Sequence, residues 1–238
     1  VLNESENAGA TVLVTRLLNG RGTEVAKIES NHTIQSKGAY DFTQTFDVKA
    51  PELWSPETPA LYTAISEVSV DGRVVDHTQT KFGIRTLTFD VTQGFLLNGK
   101  PLKLKGGCLH HDNGPLGARA FDRAEERRVE LLKASGFNAL RLAHNPPSPA
   151  FLEACDRFGM MVIDEAFDMW REGKNPHDYH LFFDDWWQRD VESMIDRDRN
   201  HPSVIMWSIG NEIPNRHRPD VVKLAQEIAN YVRDLEPT

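Results

Sequence analysis

The hydrophobic period of the chain changes near residue 88, and the change calls for two different architectures. Before it the period is two. In Tyr40–Val48, Tyr40, Phe42, Phe46 and Val48 share one face, and Asp41, Thr43, Thr45 and Asp47 share the other, the pattern of a half-buried strand. Thr11–Leu18 runs into the turn pair Asn19-Gly20, and Tyr62–Val70 into Asp71-Gly72, with Arg73–Lys81 as its partner. Short strands with regular turns and no helical face read as a small antiparallel sandwich. After residue 88 strands and helices alternate. Asp122 opens a helix with Glu125 three residues on, a capping-box spacing, and that helix stops at Ser135-Gly136. Asn138–Leu142 is a short apolar strand. Ser148-Pro149 starts a second helix, which ends near Phe158-Gly159. Met160–Ile163, Phe183–Asn200, Val204–Ile209 and Asp220–Leu235 continue the alternation. Apolar strands joined by helices imply a parallel sheet covered on its faces.

Two folds fit such units, a doubly wound sheet and a (β/α)8 barrel. The first expects a glycine-rich phosphate turn after its first strand. The turn here is Gly106-Gly107-Cys108-Leu109-His110-His111-Asp112, which is not that motif. The fold expected is therefore a β-sandwich over residues 1–88 followed by the first half of a (β/α)8 barrel over residues 89–238.

Composition removes several functions. The 238 residues carry 27 Lys and Arg against 35 Asp and Glu, a net charge of −8, with no basic stripe to hold nucleic acid. No apolar run approaches the about 20 residues of a membrane helix. Cys108 and Cys155 make neither a disulfide framework nor a CxxC zinc motif. The chain opens on Val1-Leu2-Asn3-Glu4, without an initiating Met or an apolar leader, and reads as mature or excised. Its compartment is not legible.

In a parallel barrel chemistry gathers at the carboxyl ends of the strands, where the βα loops converge. Each apolar strand here delivers polar groups at that end. The first gives His110, His111 and Asp112; the second gives His144 and Asn145; the third gives Asp164 and Glu165, with Asp168 and Trp170 beyond; the fourth gives Asn211 and Glu212. Glu212, at the rim of an apolar barrel, is expected to be partly desolvated, which favours the neutral form a general acid needs. Asn211 presents an amide suited to a sugar hydroxyl. Arg141, alternating with Leu140 and Leu142, is expected to hold a carboxylate, Glu212 or Asp164. Trp170 and Trp207 are candidate platforms for the C–H face of a sugar, and core packing serves Trp207 equally well. Trp186 and Trp187 lie in a helix and read as core or rim packing. His110, His144, Asp164 and Glu212 could also converge on a metal, but no HxH, HExxH or HxxxH pair on one element supports that.

Several stretches also carry a resemblance: Leu53-Trp54-Ser55-Pro56, Gly83-Ile84-Arg85, Phe95–Pro101, His144-Asn145-Pro146, Val162–Ala166 and, longest and most specific, Asn200–Glu212. From about Leu53 onward the chain resembles glycoside hydrolase family 2, the β-galactosidase, β-glucuronidase and β-mannosidase group. Phe167–Trp170 and Asn175–Tyr179 look most like its β-galactosidase-like branch in bacterial polysaccharide degradation. The resemblance implies an immunoglobulin-like sandwich followed by the barrel, and retaining hydrolysis of a β-glycoside in an oligosaccharide or glycoconjugate. It makes Glu212 the acid/base and gives Asn211 the sugar's 2-hydroxyl. It lines the subsite with His110 and His144; the strand-end reading adds Asp164 and Trp170 as substrate contacts and Arg141 and Glu165 as supports. Magnesium-bearing members carry a Glu and a His where this chain has Met169 and Arg171, so no metal or other cofactor is expected. The nucleophile, a late barrel Glu, falls outside these residues, so the isolated chain is expected to show no turnover. β-Glucuronidase and β-mannosidase are the alternatives within the family, and a non-catalytic carbohydrate-binding module the alternative outside it. A homo-oligomer of the full-length enzyme stays open.

Overall fold

The computed structural model describes residues 1–237. It separates into two compact units, one formed by Val1–Leu53 with Ala60–Ile84, the other by Trp54–Pro59 with the chain from Arg85 onward.

In the first unit β1 (Gly9–Leu18), β2 (Glu24–Ile34), β3 (Tyr62–Val70) and β4 (Arg73–Phe82) form one antiparallel sheet in the order β2-β1-β3-β4. The β3–β4 hairpin turns where Asp71-Gly72 predicts it, with both residues at positive φ. Leu17, Ile34 and Tyr62 are buried, and Thr15 bonds Ser66 across the sheet. The expected strand at Tyr40–Val48 is different. Its side chains alternate as predicted, with Phe42, Phe46 and Val48 half-buried, but its backbone joins no ladder. Its link to the sheet is by side chain, through the Gln44 amide, which donates to Ser30 Oγ at 3.0 Å. Alternation reports which side chains are covered, not whether the backbone is paired.

The second unit contains a small antiparallel sheet, β5 (Leu87–Asp90), β6 (Gly94–Leu97) and β7 (Lys100–Pro101). Then come β8 (Gly106–His110), α1 (Asp122–Ala134), β9 (Ala139–Ala143), α2 (Pro149–Phe158), β10 (Met161–Glu165), α3 (Phe183–Asp198), β11 (Val204–Ser208) and α4 (Pro219–Leu235). The four later strands form one parallel sheet in the order β8-β9-β10-β11. Neighbours in sequence are neighbours in space and the order never reverses. That is barrel order, since a doubly wound sheet reverses direction at its switch point.

Local chemistry explains the element ends. Ser148 Oγ accepts from the Phe151 amide at 3.2 Å, Pro149 takes the first position of α2, and Gly159 closes it at φ +68°. The capping box predicted at Asp122 does not form. The cap is Phe121 without a side-chain bond, because Glu125 is buried and turned to Asn113 Nδ2 (2.8 Å) and Arg128 (3.4 Å). Gly106 is required by proximity, since a Cβ there would lie 1.6 Å from the Ala139 carbonyl oxygen.

The sheet's two faces differ. Leu140, Leu142, Val162 and Val204 are buried in a cluster with Val129, Phe151, Leu152 and Met160 from the helices and the loop before β10. The opposite face carries the aligned row Cys108, Arg141, Ile163 and Met206, and beyond it the row His110, Ala143, Glu165 and Ser208. A second apolar cluster, with Phe183, Trp187, Val191, Ile195, Leu224 and Ile228, joins α3 to α4. Trp187 is buried, while Trp186 stays largely exposed under the Arg189 guanidinium.

Candidate active site

The second of those rows lies at the carboxyl end of the strands, and Glu165 is its centre. Its carboxylate is fully buried and accepts four hydrogen bonds. Arg141 donates two, Nε to Oε2 at 2.9 Å and Nη2 to Oε1 at 2.8 Å. Ser208 Oγ donates to Oε2 at 2.6 Å, and His144 Nδ1 lies 2.8 Å from Oε1. A buried carboxylate is tolerated when its lone pairs are filled in this way. Arg141 was expected to hold Glu212 or Asp164; it holds Glu165. Register explains why: Arg141 pairs with Ile163 across β9 and β10, so Glu165, two residues on, shares its face.

The same alternation removes Asp164 from the site. Adjacent strand residues project to opposite faces, so Asp164 points toward α3, fully buried and without a hydrogen-bond partner of normal geometry. Burial, and the nearby Asp198 carboxylate, push its pKa well above the usual carboxylate range. Asp198 itself takes two bonds from Arg197. Asp164 is therefore a buried structural acid rather than a substrate contact.

From the Arg141–Glu165 pair the network runs outward. Arg141 Nη2 also donates to Asn211 Oδ1 at 2.8 Å, and Asn211 Nδ2 donates to Asp168 Oδ1 at 2.9 Å. Lys174 Nζ donates to Asp168 Oδ1 at 2.6 Å and to the Asn211 carbonyl at 3.2 Å. Burial raises the Asp168 pKa, but the Lys174 and Asn211 hydrogen bonds outweigh it and hold the carboxyl below its ordinary range. His144 follows a cis Ala143–His144 peptide and meets the exposed His110 edge to face, ring centroids 5.0 Å apart.

Glu212 is placed at this mouth, next to the buried Asn211, but it is not desolvated. Its side chain is 82% exposed, with Lys174 Nζ 4.0 Å from Oε2. Its φ of +43° turns it away from the apolar strand it follows, and no other element among the described residues covers it. Trp170 is also not at the mouth. Its indole N–H donates to the Ile209 carbonyl at 2.8 Å, and its ring is buried beside Phe183 in the α3–α4 cluster. Its burial leaves little of the ring accessible at the strand ends.

Sequence reasoning left two members out of the site, Lys174 and Ser208, and placed Asp168 beyond β10 without giving it a role. Ser208 was within reach, since β11 alternates and places it two residues beyond Met206 on the inner face. Lys174 lies in the loop after β10, where no periodicity applies.

Met169 is buried and Arg171 pairs with Asp184 at 2.6 Å. No cluster of three or more His, Cys, Asp or Glu among the described residues has metal-binding geometry.

Comparison with known proteins gives this arrangement its relatives. The model of the glycosyl hydrolases family 2 TIM barrel domain matches residues 90–238, and a second glycosyl hydrolases family 2 model matches residues 1–85. The β-galactosidase BoGH2A of Bacteroides ovatus is 46% identical over 213 residues, covering 90% of this chain and 25% of that protein. A crystal structure of a family 2 glycosyl hydrolase from Bacteroides cellulosilyticus superposes with a TM-score of 0.93 at 52% identity, covering 97% of this chain and 30% of that one. A Bacteroides uniformis β-glucuronidase, covalently bound to cyclophellitol-6-carboxylate aziridine, superposes with a TM-score of 0.87 at 28% identity, covering 100% of this chain and 30% of that one. The chain thus spans about a quarter of the length of the curated relative it matches at 46%. With both of its parts matched, an immunoglobulin-like sandwich and strands of a TIM barrel, the chain belongs to glycosyl hydrolase family 2.

Proposed function

We propose that the protein is a retaining glycoside hydrolase acting on terminal β-linked sugars, with Glu212 as its acid/base and its nucleophile outside these residues. The observation that carries the reading is the Asn211–Glu212 turn. Asn211 is locked from both sides by Arg141 and Asp168, and the next residue presents a carboxyl to open space at the strand ends. A proton donor must be held in place and yet be reachable by the glycosidic oxygen.

In the first step Glu212 protonates the glycosidic oxygen while a second carboxylate, about 5–5.5 Å away, attacks the anomeric carbon. The C–O bond to the leaving group breaks and a glycosyl–enzyme forms. The ionised Glu212 then takes a proton from water, and the hydroxide oxygen displaces the enzyme carboxylate. Asn211, with one amide hydrogen committed to Asp168, retains a second for the sugar's 2-hydroxyl. His144 and His110 border the same mouth. The buried Glu165 orients Arg141 and His144 without reaching solvent.

β-Galactoside is the leading substrate, supported by the likeness to BoGH2A. β-Glucuronide is the second reading, supported by the B. uniformis likeness. The test is Glu212→Gln in the complete enzyme, assayed on aryl β-glycosides of graded leaving-group ability. Poor leaving groups should lose about 10²–10⁴-fold in kcat/KM, and good ones far less, because they depart with little protonation. Equal loss across the series removes Glu212 from the role. A complete wild-type protein that binds sugar without turnover would favour a non-catalytic module instead.

A further inference from the structure

The cation that stands 4.0 Å from the Glu212 carboxyl, Lys174, is one that neither the strand pattern nor the motif points to. The loop after β10 folds back on itself around Asp178. That carboxylate accepts from the Lys174 amide at 2.8 Å, the Asn175 amide at 2.7 Å and the His180 amide at 3.1 Å. The backbone that carries Lys174 is thereby tied down, and so is the start of its side chain. Lys174 is only 24% exposed at its side chain, low for a lysine, and its ammonium reaches out of its own loop.

An ammonium has three donor hydrogens. One goes to Asp168, in the same loop, and one to the Asn211 carbonyl, in the loop after β11. Glu212 Oε2, at 4.0 Å, lies just beyond hydrogen-bond reach of the third. Asp168 completes the bridge, since it also accepts from the Asn211 side chain. So both the backbone oxygen and the side chain of Asn211 are held from the loop after β10, and Glu212 follows directly. Glu212 also has a φ of +43°. A non-glycine residue holds such a conformation only when its surroundings fix it.

We propose that Lys174 is a positioning residue for Glu212: bridging Asp168 and the Asn211 carbonyl, it locks the Asn211–Glu212 turn and keeps the carboxyl directed at the leaving-group oxygen. The proposal rests on the reading of Glu212 as the acid/base. Lys174 touches neither substrate nor reacting atoms in this account. It acts through the turn.

A residue that only stabilises the fold would, when changed, lower activity alike for every substrate. One that aims the proton donor lowers it where proton donation matters. The experiment is therefore Lys174→Met in the complete enzyme, which keeps the stem length but removes the charge and the donors. It is read against the same graded aryl β-glycosides, with Lys174→Arg and Lys174→Gln alongside. For poor leaving groups kcat/KM should fall about 10- to 100-fold, and for good ones less than about 3-fold. Lys174→Arg, which can still bridge two acceptors and carries the charge, should recover most of the loss on poor leaving groups. If Lys174→Met unfolds the protein, Lys174→Gln, which keeps one donor group, should show the same dependence on leaving group in milder form.

A uniform loss across the series in a folded variant overturns the proposal. So does an Arg variant no better than Met. The two readings fail separately. If Glu212→Gln discriminates between leaving groups while Lys174→Met does not, the lysine is wrong and the acid/base stands. If Glu212→Gln itself fails to discriminate, the acid/base reading falls first.

Discussion

At the scale of single residues, the strongest constraint in the site is the full burial of Glu165 against a partly exposed Arg141. The pair is not evidence of extra stability, because desolvating two ions offsets much of their attraction. Breaking it is another matter. Arg141→Met should leave a buried carboxylate with only Ser208 and His144 and destabilise the unit by about 3–5 kcal/mol. Arg141→Lys should cost less, because it keeps the charge but loses the two-pronged bond. Hydrogen exchange of the β9–β11 amides in the complete protein reads both; a change below about 1 kcal/mol for Met would mean the carboxylate finds water or a new partner. This pair also shows how far side chains can be read from a string of letters. That Arg141 holds a carboxylate was legible from its place between Leu140 and Leu142. Which carboxylate was not, because the choice between Asp164 and Glu165 is set by interstrand register, and no single strand records that. Trp170 misled for a related reason: its residue type suits a sugar, but its N–H is taken by the Ile209 carbonyl and its ring is buried in the α3–α4 cluster.

At the scale of elements, the parallel strands and their helices were legible from the alternation of apolar runs, and most closely where punctuation had a mechanism: Ser148-Pro149 before α2, Gly159 after it, Gly136 after α1. Tyr40–Val48 had alternation without a partner, and became an extended segment. The Gly106–Ala139 contact marks a position where elements depend on each other. A methyl group at residue 106 would overlap the Ala139 carbonyl, so Gly106→Ala must push β8 off β9. His110 closes the same strand and meets His144 edge to face. Gly106→Ala should therefore cost about 1–3 kcal/mol or more from overpacking and also weaken sugar binding in the complete enzyme. Unchanged stability with unchanged KM would show that the β8–β9 pairing yields without moving His110. Asn98, Trp54 and Asp156 tie further pieces of the second unit by Asn98 Nδ2 to the Trp54 carbonyl and Trp54 Nε1 to the Asp156 carbonyl, both at 3.0 Å. The motif around Trp54 was visible in the sequence; its two-sided anchoring was not.

At the scale of the whole molecule, the buried ionisable groups bias how stability varies with pH. Folding raises the pKa of at least three, the Cys155 thiol by burial among them, and two of the three begin to titrate at lower pH than that thiol. For Asp164 the cause is burial, reinforced by the Asp198 charge. For His201 burial works against the charge, but the Asp156 hydrogen bond at 2.6 Å and the Asp156 charge outweigh it. A raised folded-state pKa means that the folded protein binds the proton more tightly than the unfolded chain. The stability each group supplies is therefore complete below its unfolded pKa and is lost as pH rises through the folded value. The windows differ: for Asp164 the loss begins above the ordinary carboxylate range, and for His201 above about 6.5, the ordinary imidazole value. Asp168 works in the opposite sense. Its lowered pKa gives stability that is present above the carboxylate range and lost as pH falls. The unit should thus lose stability on both sides, with Asp164 and His201 shaping the alkaline side. Asp164→Asn keeps the shape, cannot ionise, and should flatten the first part of that decline, while His201→Gln should flatten the later part. Each proton removed from the folded state's excess lowers the slope by up to about 1.4 kcal/mol per pH unit. The measurement is the free energy of opening of the β9–β11 amides from hydrogen exchange across pH 5 to 9, corrected for the intrinsic exchange rate. An Asp164→Asn profile parallel to the wild type would mean that the Asp164 carboxyl is not the group whose proton the fold retains, and that the buried contact with Asp198 is relieved by other means.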